Sequence, residues 1–302
     1  MNLRLRFLLT LALGLAACRA SSAAPATVTA SLMPETLLPA RSITPAPTAT
    51  PTITSTATRT DTPLPIPSPS PAASSTPSAT LRPEFAPTLA PVEAGLITNG
   101  SRQQPYVALT FDLCQKPEYP AGFDQGIFEA LVAASAPATF FVGGDWARTH
   151  PDETRLLASV AYFELGNHSW SHPDLPGLSR PELDQEILKT QQILYELTGE
   201  QPRLFRLPAG LYNNAVLRVI AAHGLYTIQW DVVTADPVPD NQADNINRIV
   251  RENAQNGSII IMHANGRGWH TAEALPAMIK YLRGQGYRLV TVSQLLGLEP
   301  IE

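Results

Sequence analysis

Between residues 95 and 302, short apolar runs alternate with stretches of helical spacing. Strands are predicted at 106–111, 138–142 and 160–165, then at 204–205, 226–230, 258–262 and 288–292. An amphipathic stretch lies near 124–134, and a helix is predicted from Pro151 to Ser159, since proline suits the first helical position. Over 183–197 the spacing of Leu183, Ile187, Leu194 and Leu197 gives one apolar helical face. Further helices are predicted over 214–223, 243–255 and 272–283, the last with Pro276 near its first turn. Repeated strand–helix alternation predicts a parallel α/β architecture. The region is long enough for one domain with a substantial core, and both an open sheet and a barrel satisfy the pattern.

The chain ahead of this region has a different character. Arg4 and Arg6 flank the start of an apolar run from Phe7 to Ala17, which ends Leu15-Ala16-Ala17-Cys18. A basic start, a short apolar core and small residues before a cut site predict a secretory signal over 1–18. The run is too short to span a bilayer, which needs ~20 apolar residues. Its last four residues resemble the lipobox of bacterial lipoproteins, which implies acylation of Cys18 and attachment to the membrane through that lipid alone. The competing reading is an ordinary cleaved signal with an incidental cysteine. From 19 to 94 the chain is mostly Pro, Thr, Ser and Ala, and 15 of the 29 prolines lie there. Such a segment buries too little apolar surface to offset its ordering entropy, so a disordered, extended tether is expected. The expected location is therefore extracytoplasmic.

A net charge of −5 with no basic cluster argues against a nucleic-acid partner. Of the two cysteines, Cys114 has no intramolecular disulfide partner if Cys18 carries lipid. Several polar residues fall where predicted strands end, the place where α/β folds build their sites: Asp112, His168, His172, Arg206, Asp236 and His263. If the segment His168-Ser169-Trp170-Ser171-His172 is helical, its two imidazoles face one way and suit a single cation. Taken singly, each residue has a plainer reading: Asp112 as a strand-end cap, Arg206 in a structural ion pair, His263 as a core histidine, Asp236 as a turn residue before Pro237.

Thr110-Phe111-Asp112, His168 through His172, Arg206-Leu207-Pro208-Ala209-Gly210, Trp230 through Asp236 and Ile261-Met262-His263 occur in that order. Together they resemble the five motifs of the polysaccharide deacetylases, carbohydrate esterase family 4, also called the NodB-homology domain. The segment 138–142 resembles the family's second strand, and the likeness runs over nearly all of 104–297. The resemblance implies a distorted (β/α) barrel and a divalent metal, usually zinc, held by an Asp-His-His set. By that resemblance His168 and His172 are metal ligands and Asp112 is the general base. His263 protonates the departing amine, Arg206 orients Asp112, and Asp236 holds His263 in its working tautomer. A backbone amide in the segment 206–210 meets the oxyanion, and Ala209 there replaces the usual tyrosine. Trp170 and Trp269 are candidates for stacking on a sugar ring. The implied activity is hydrolysis of N-acetyl groups on a cell-wall or extracellular glycan such as peptidoglycan. The competing functions are an amidohydrolase acting on a non-sugar amide and a glycan-binding domain without catalysis.

The sequence departs from the family pattern at two places. The family usually carries a second aspartate after the first, and here that residue is Leu113, which cannot bind a metal. On an extended strand residues i and i+2 share a face, so Cys114 is a candidate third ligand beside the two histidines. The alternatives are Asp112 itself, solvent or another side chain, an inert buried thiol, or no metal. Pro237 stands where the family usually has tryptophan, which removes an expected wall of the groove.

Overall fold

This computed structural model describes residue 86, residues 88–116 and residues 121–301. The expected signal peptide, Cys18 and most of the expected tether lie outside the described residues. In chain order the elements are β1 (Leu96–Ile97), β2 (Tyr106–Leu113), α1 (Gln125–Ala133), β3 (Ala138–Val142), α2 (Gly144–Thr149), α3 (Pro151–Ala158), β4 (Phe163–Asn167), α4 (Arg180–Thr198), β5 (Leu204–Arg206), α5 (Asn214–Ala222), β6 (Tyr226–Ile228), β7 (Val232–Val233), α6 (Ala243–Asn253), β8 (Ser258–His263), α7 (Thr271–Gly284), β9 (Arg288–Leu289) and α8 (Val292–Leu295).

Alternation along β2 sets the layering. Val107, Leu109, Phe111 and Leu113 are fully buried in a core shared with α1, α6 and α7. Ala108 belongs instead to an inner cluster with Phe141, Leu204, Ile228 and Ile259. Thr110 and Asp112 continue that inner face toward the end of the strand. The strands pair in the order β1-β6-β5-β4-β3-β2-β8-β7, with β9 beside the first residues of β2, and every strand pairing is parallel. The sheet curls far enough for Asn99, just past β1, to form an antiparallel bridge with Ser258 at the start of β8. This is the expected distorted (β/α) barrel.

The predicted elements differ from the observed ones mainly at their ends. The strand expected at 160–165 begins only at Phe163, because the N–H groups of Val160 and Phe163 close turns onto Leu157 and Val160 at the exit of α3. The strand expected at 288–292 stops at Leu289. Thr291 instead caps α8, accepting from the Gln294 N–H while the Gln294 side chain accepts from the Thr291 N–H. Pro276 lies in the second turn of α7, since that helix begins at Thr271. Residues upstream of β1 also pack on the domain: the Ala86 N–H donates to Gln192 on α4, and the Val92 N–H to the Ala221 carbonyl on α5.

Phe140 on β3 stacks on Phe111 and meets Phe163 edge-on, both at 5.2 Å between ring centroids. Replacing this fully buried ring removes two aromatic contacts and opens a cavity. Phe140→Ala is expected to cost about 3–5 kcal/mol in a urea unfolding titration, and a loss under about 1 kcal/mol would contradict the packing described.

Candidate functional site

Parallel strands deliver their last side chains to one rim. Asp112 lies one residue from the end of β2, Arg206 and His263 end β5 and β8, and His168 follows β4 directly. The register sets Asp112 beside His263, and Asn167 beside both Val142 and Phe205.

Arg206 is fully buried on the inner face, its guanidinium 3.9 Å from the Phe141 ring centroid. Its Nη1 donates to Asp112 Oδ1 and to Thr110 Oγ1, each at 2.9 Å, and its Nη2 donates to the Gln229 carbonyl. Burial alone would raise the pKa of Asp112. The charge and hydrogen bond of Arg206 outweigh it, with help from the neighbouring histidines, so the carboxyl stays below its ordinary value and ionised.

The two histidines are brought together by a loop and not by a helix. β4 ends at Asn167, and Ser169 and His172 take left-handed φ values of 61° and 55° that fold 168–172 back on itself. Glu186 on α4 holds this loop by accepting from the N–H groups of Trp170 and Ser171 and from the Ser171 hydroxyl. The His168 and His172 rings stand 5.1 Å apart. His168 Nδ1 donates to the Arg206 carbonyl at 2.9 Å, which leaves Nε2 buried and without a hydrogen-bond partner, 3.7 Å from Asp112 Oδ2. Burial lowers the pKa of His168. Burial and the neighbouring His168 lower His172 to about 3, so both rings are neutral and offer lone pairs near neutral pH.

Cys114 completes this group. Its Sγ and one ring nitrogen from each of His168 and His172 all lie within 4.8 Å of one another. A buried imidazole nitrogen without a partner is costly, and the deficit is met by a cation that two neutral imidazoles and a sulfur can share. The residues present therefore fit a divalent metal. With these neighbours alone, burial and the Asp112 charge push the Cys114 thiol up to about 12.

Across the rim, Asp236 Oδ1 lies 3.0 Å from His263 Nδ1, while Oδ2 accepts from the His263 N–H and the Thr271 hydroxyl. Burial disfavours charge on His263, but Asp236, aided by Asp112, outweighs it and raises the pKa. A cavity of about 280 Å³ is lined by Asp112, His172, Ala209, Trp230, Asp236 and His263. A larger one, of about 580 Å³, shares Cys114, His172 and Arg267 with it and extends past Lys116 and Asn265.

Ala209 sits in this cavity with a left-handed φ of 50°, backed by Gly210. Trp269 is 58% exposed, and its N–H donates to the Asp236 carbonyl at the rim. Trp170 packs over Gly144, where even a Cβ would meet its ring at 2.4 Å, and it borders a neighbouring depression, outside the cavity of Asp112 and His263. Sequence reasoning missed Asn265, Thr271, Thr110 and Gln229 as partners. Thr110 lay within a quoted motif, and Asn265, a polar residue two places past His263 at a strand end, also carried a signal.

Residues 99–228 match the family model for polysaccharide deacetylase. A peptidoglycan-N-acetylglucosamine deacetylase of Bacillus cereus is 32% identical over 196 residues, covering 64% of this chain and 69% of that protein. The chain belongs to the polysaccharide deacetylase family. It is also similar to the Bacillus subtilis protein YlxY (30% identical, 66% of this chain), but spans only 60% of its length, and only 39% of the Listeria monocytogenes deacetylase PgdA. Among solved members of the family, BA3943 from Bacillus anthracis, a CE4 family pseudoenzyme, superposes with a TM-score of 0.61 at 27% identity, over 68% of this chain and 69% of that one. A mutant of that pseudoenzyme has restored enzymatic activity. Membership of the polysaccharide deacetylases therefore does not by itself establish turnover.

Removing Arg206 from this site would leave the Asp112 carboxylate buried and unpaired. Arg206→Leu is expected to destabilise the protein by about 3–5 kcal/mol in urea titration, and adding Asp112→Asn to recover part of that loss. Equal stabilities of the single variant and the wild type would contradict the pairing.

Proposed function

We propose that residues 95–302 form a metal-dependent N-deacetylase domain that removes acetyl groups from a cell-wall or extracellular polysaccharide. The observation that carries this reading is the convergence of two oriented pairs, Asp112 with Arg206 and His263 with Asp236, on one cavity beside the unpartnered His168 Nε2. Peptidoglycan is the proposed substrate, supported by the peptidoglycan deacetylases among the relatives. The signal-like residues 1–18, the lipobox Cys18 and the proline-rich tether support an extracytoplasmic, membrane-attached setting.

His168 and His172, with Cys114 beside them, would hold the cation, zinc by the chemistry of that donor set. A divalent cation supplies polarisation of the acetamide carbonyl and acidification of water. Asp112 is ionised and has one oxygen tied to Arg206, which leaves Oδ2 toward the histidines to take the proton from water. The water oxygen bonds to the carbonyl carbon, the C–N bond breaks, and acetate leaves. With Nδ1 of His263 held by Asp236, the proton on Nε2 goes to the departing amine. The backbone around Ala209 faces the same cavity and supplies the place for an amide donor to the oxyanion. Trp269 offers an exposed ring at the rim for a sugar face.

A second reading, glycan binding without hydrolysis, is favoured by Leu113 in place of the usual aspartate and by the pseudoenzyme relative. Acetate release from N-acetylglucosamine oligomers and peptidoglycan, with zinc, cobalt or manganese supplied to the full chain, separates the two. Release that His168→Ala abolishes supports hydrolysis; saturable binding with no release under any of the metals supports the second reading. The rate is expected to fall as pH rises through the raised pKa of His263, because the acid loses its proton. Asp236→Asn removes the partner that raises that pKa, so the alkaline fall should move to lower pH; an unmoved profile would exclude His263 as the acid.

A further inference from the structure

We infer that the thiolate of Cys114 takes the place of the missing carboxylate, so that the site is a sulfur–imidazole–imidazole centre for a thiophilic divalent cation, with Asn265 holding the sulfur. The inference deepens the metal-dependent reading, but it rests on cation binding and not on turnover.

Position 113 cannot serve. Leu113 faces outward from β2 into the helix-side core with Leu109 and Phe111 and has no exposure. The backbone there is fixed on both sides: the Ala264 N–H donates to the Asp112 carbonyl, and the Gly143 N–H to the Leu113 carbonyl. The inner face therefore passes from Asp112 to the next residue in register with it, Cys114. Asp112 is already committed, since Arg206 balances its charge and binds Oδ1.

Two independent observations make Cys114 more than a lone buried thiol. His168 Nε2 is buried and has no partner, and His168 is one of the three residues whose donor atoms lie within 4.8 Å of one another. The Asn265 amide donates to the Cys114 carbonyl at 2.8 Å and lies 3.6 Å from Sγ, an N–H directed at a sulfur that would carry negative charge. A bound cation deprotonates a coordinating thiol outright, which overrides the effect of burial on it. Sulfur and imidazole donors favour zinc, cobalt and cadmium over magnesium, which prefers oxygen ligands.

Cobalt(II) reports the sulfur directly. Metal-free full-length protein loaded with cobalt should show a near-ultraviolet sulfur-to-cobalt charge-transfer band, which cadmium displaces and magnesium does not. Cys114→Ser should lose the band. Cys114→Asp restores a charged donor should the serine variant fold poorly, and it should bind cobalt without the band. Asn265→Ala should keep the band with affinity lowered ~10–100-fold. Cobalt bound by the wild type with no such band, or a band that survives Cys114→Ser, would overturn the inference. A band without acetate release on any glycan would sink the deacetylase reading and leave the thiolate centre standing. Acetate release from a cobalt-loaded protein without the band would do the reverse.

Discussion

The buried pair between Arg206 and Asp112 is the constraint on which the rest of the site depends. A guanidinium without exposure is tolerated inside a barrel only where its charge is matched, and Asp112, Thr110, the Gln229 carbonyl and the face of Phe141 do this together. The same residue orients His168, because the Arg206 carbonyl accepts from its Nδ1 and leaves the buried Nε2 without a partner in a ring that clusters with Cys114 and His172. One strand end thus sets the ionisation of Asp112 and the tautomer of His168.

That coupling explains why parallel topology matters here. β2, β5 and β8 run the same way and end at one rim, so residues 94 positions apart in the chain meet at hydrogen-bond distance. The helices contribute at second hand: Glu186 on α4 braces the 168–172 loop, and Thr271 at the start of α7 braces Asp236. Two kinds of device appear, a carboxylate held by a buried cation and a histidine held by a buried carboxylate. They lower the pKa of a carboxyl and raise that of an imidazole, in a single cavity.

Much of this was legible in the sequence because the apolar runs are long and their ends are polar. The strand at 138–142 and the helices near 124–134, 183–197 and 214–223 have enough residues for a period to show. Two-residue strands such as β1 and β7 have none, and only their neighbours in the sheet define them. The histidine pair shows the limit differently. Its spacing suggested a helical face, whereas left-handed residues and Glu186 produce the same convergence from a loop. Trp170 looked like a platform from its place in a motif, and only packing against Gly144 shows where its ring goes. Asn265 became meaningful once β8 and the end of β2 were side by side.

The departure at Leu113 carries the largest consequence. Where the resemblance implies a second aspartate, this chain has a leucine turned into the core, followed by a cysteine that clusters with the two histidines. Whether the centre still supports hydrolysis is decided most directly by titrating metal-free full-length protein with zinc while following acetate release from peptidoglycan. The account predicts release that rises in proportion to zinc up to a single equivalent per chain and disappears on chelation. Release that is indifferent to zinc and chelator, or absent at every zinc level, would contradict it.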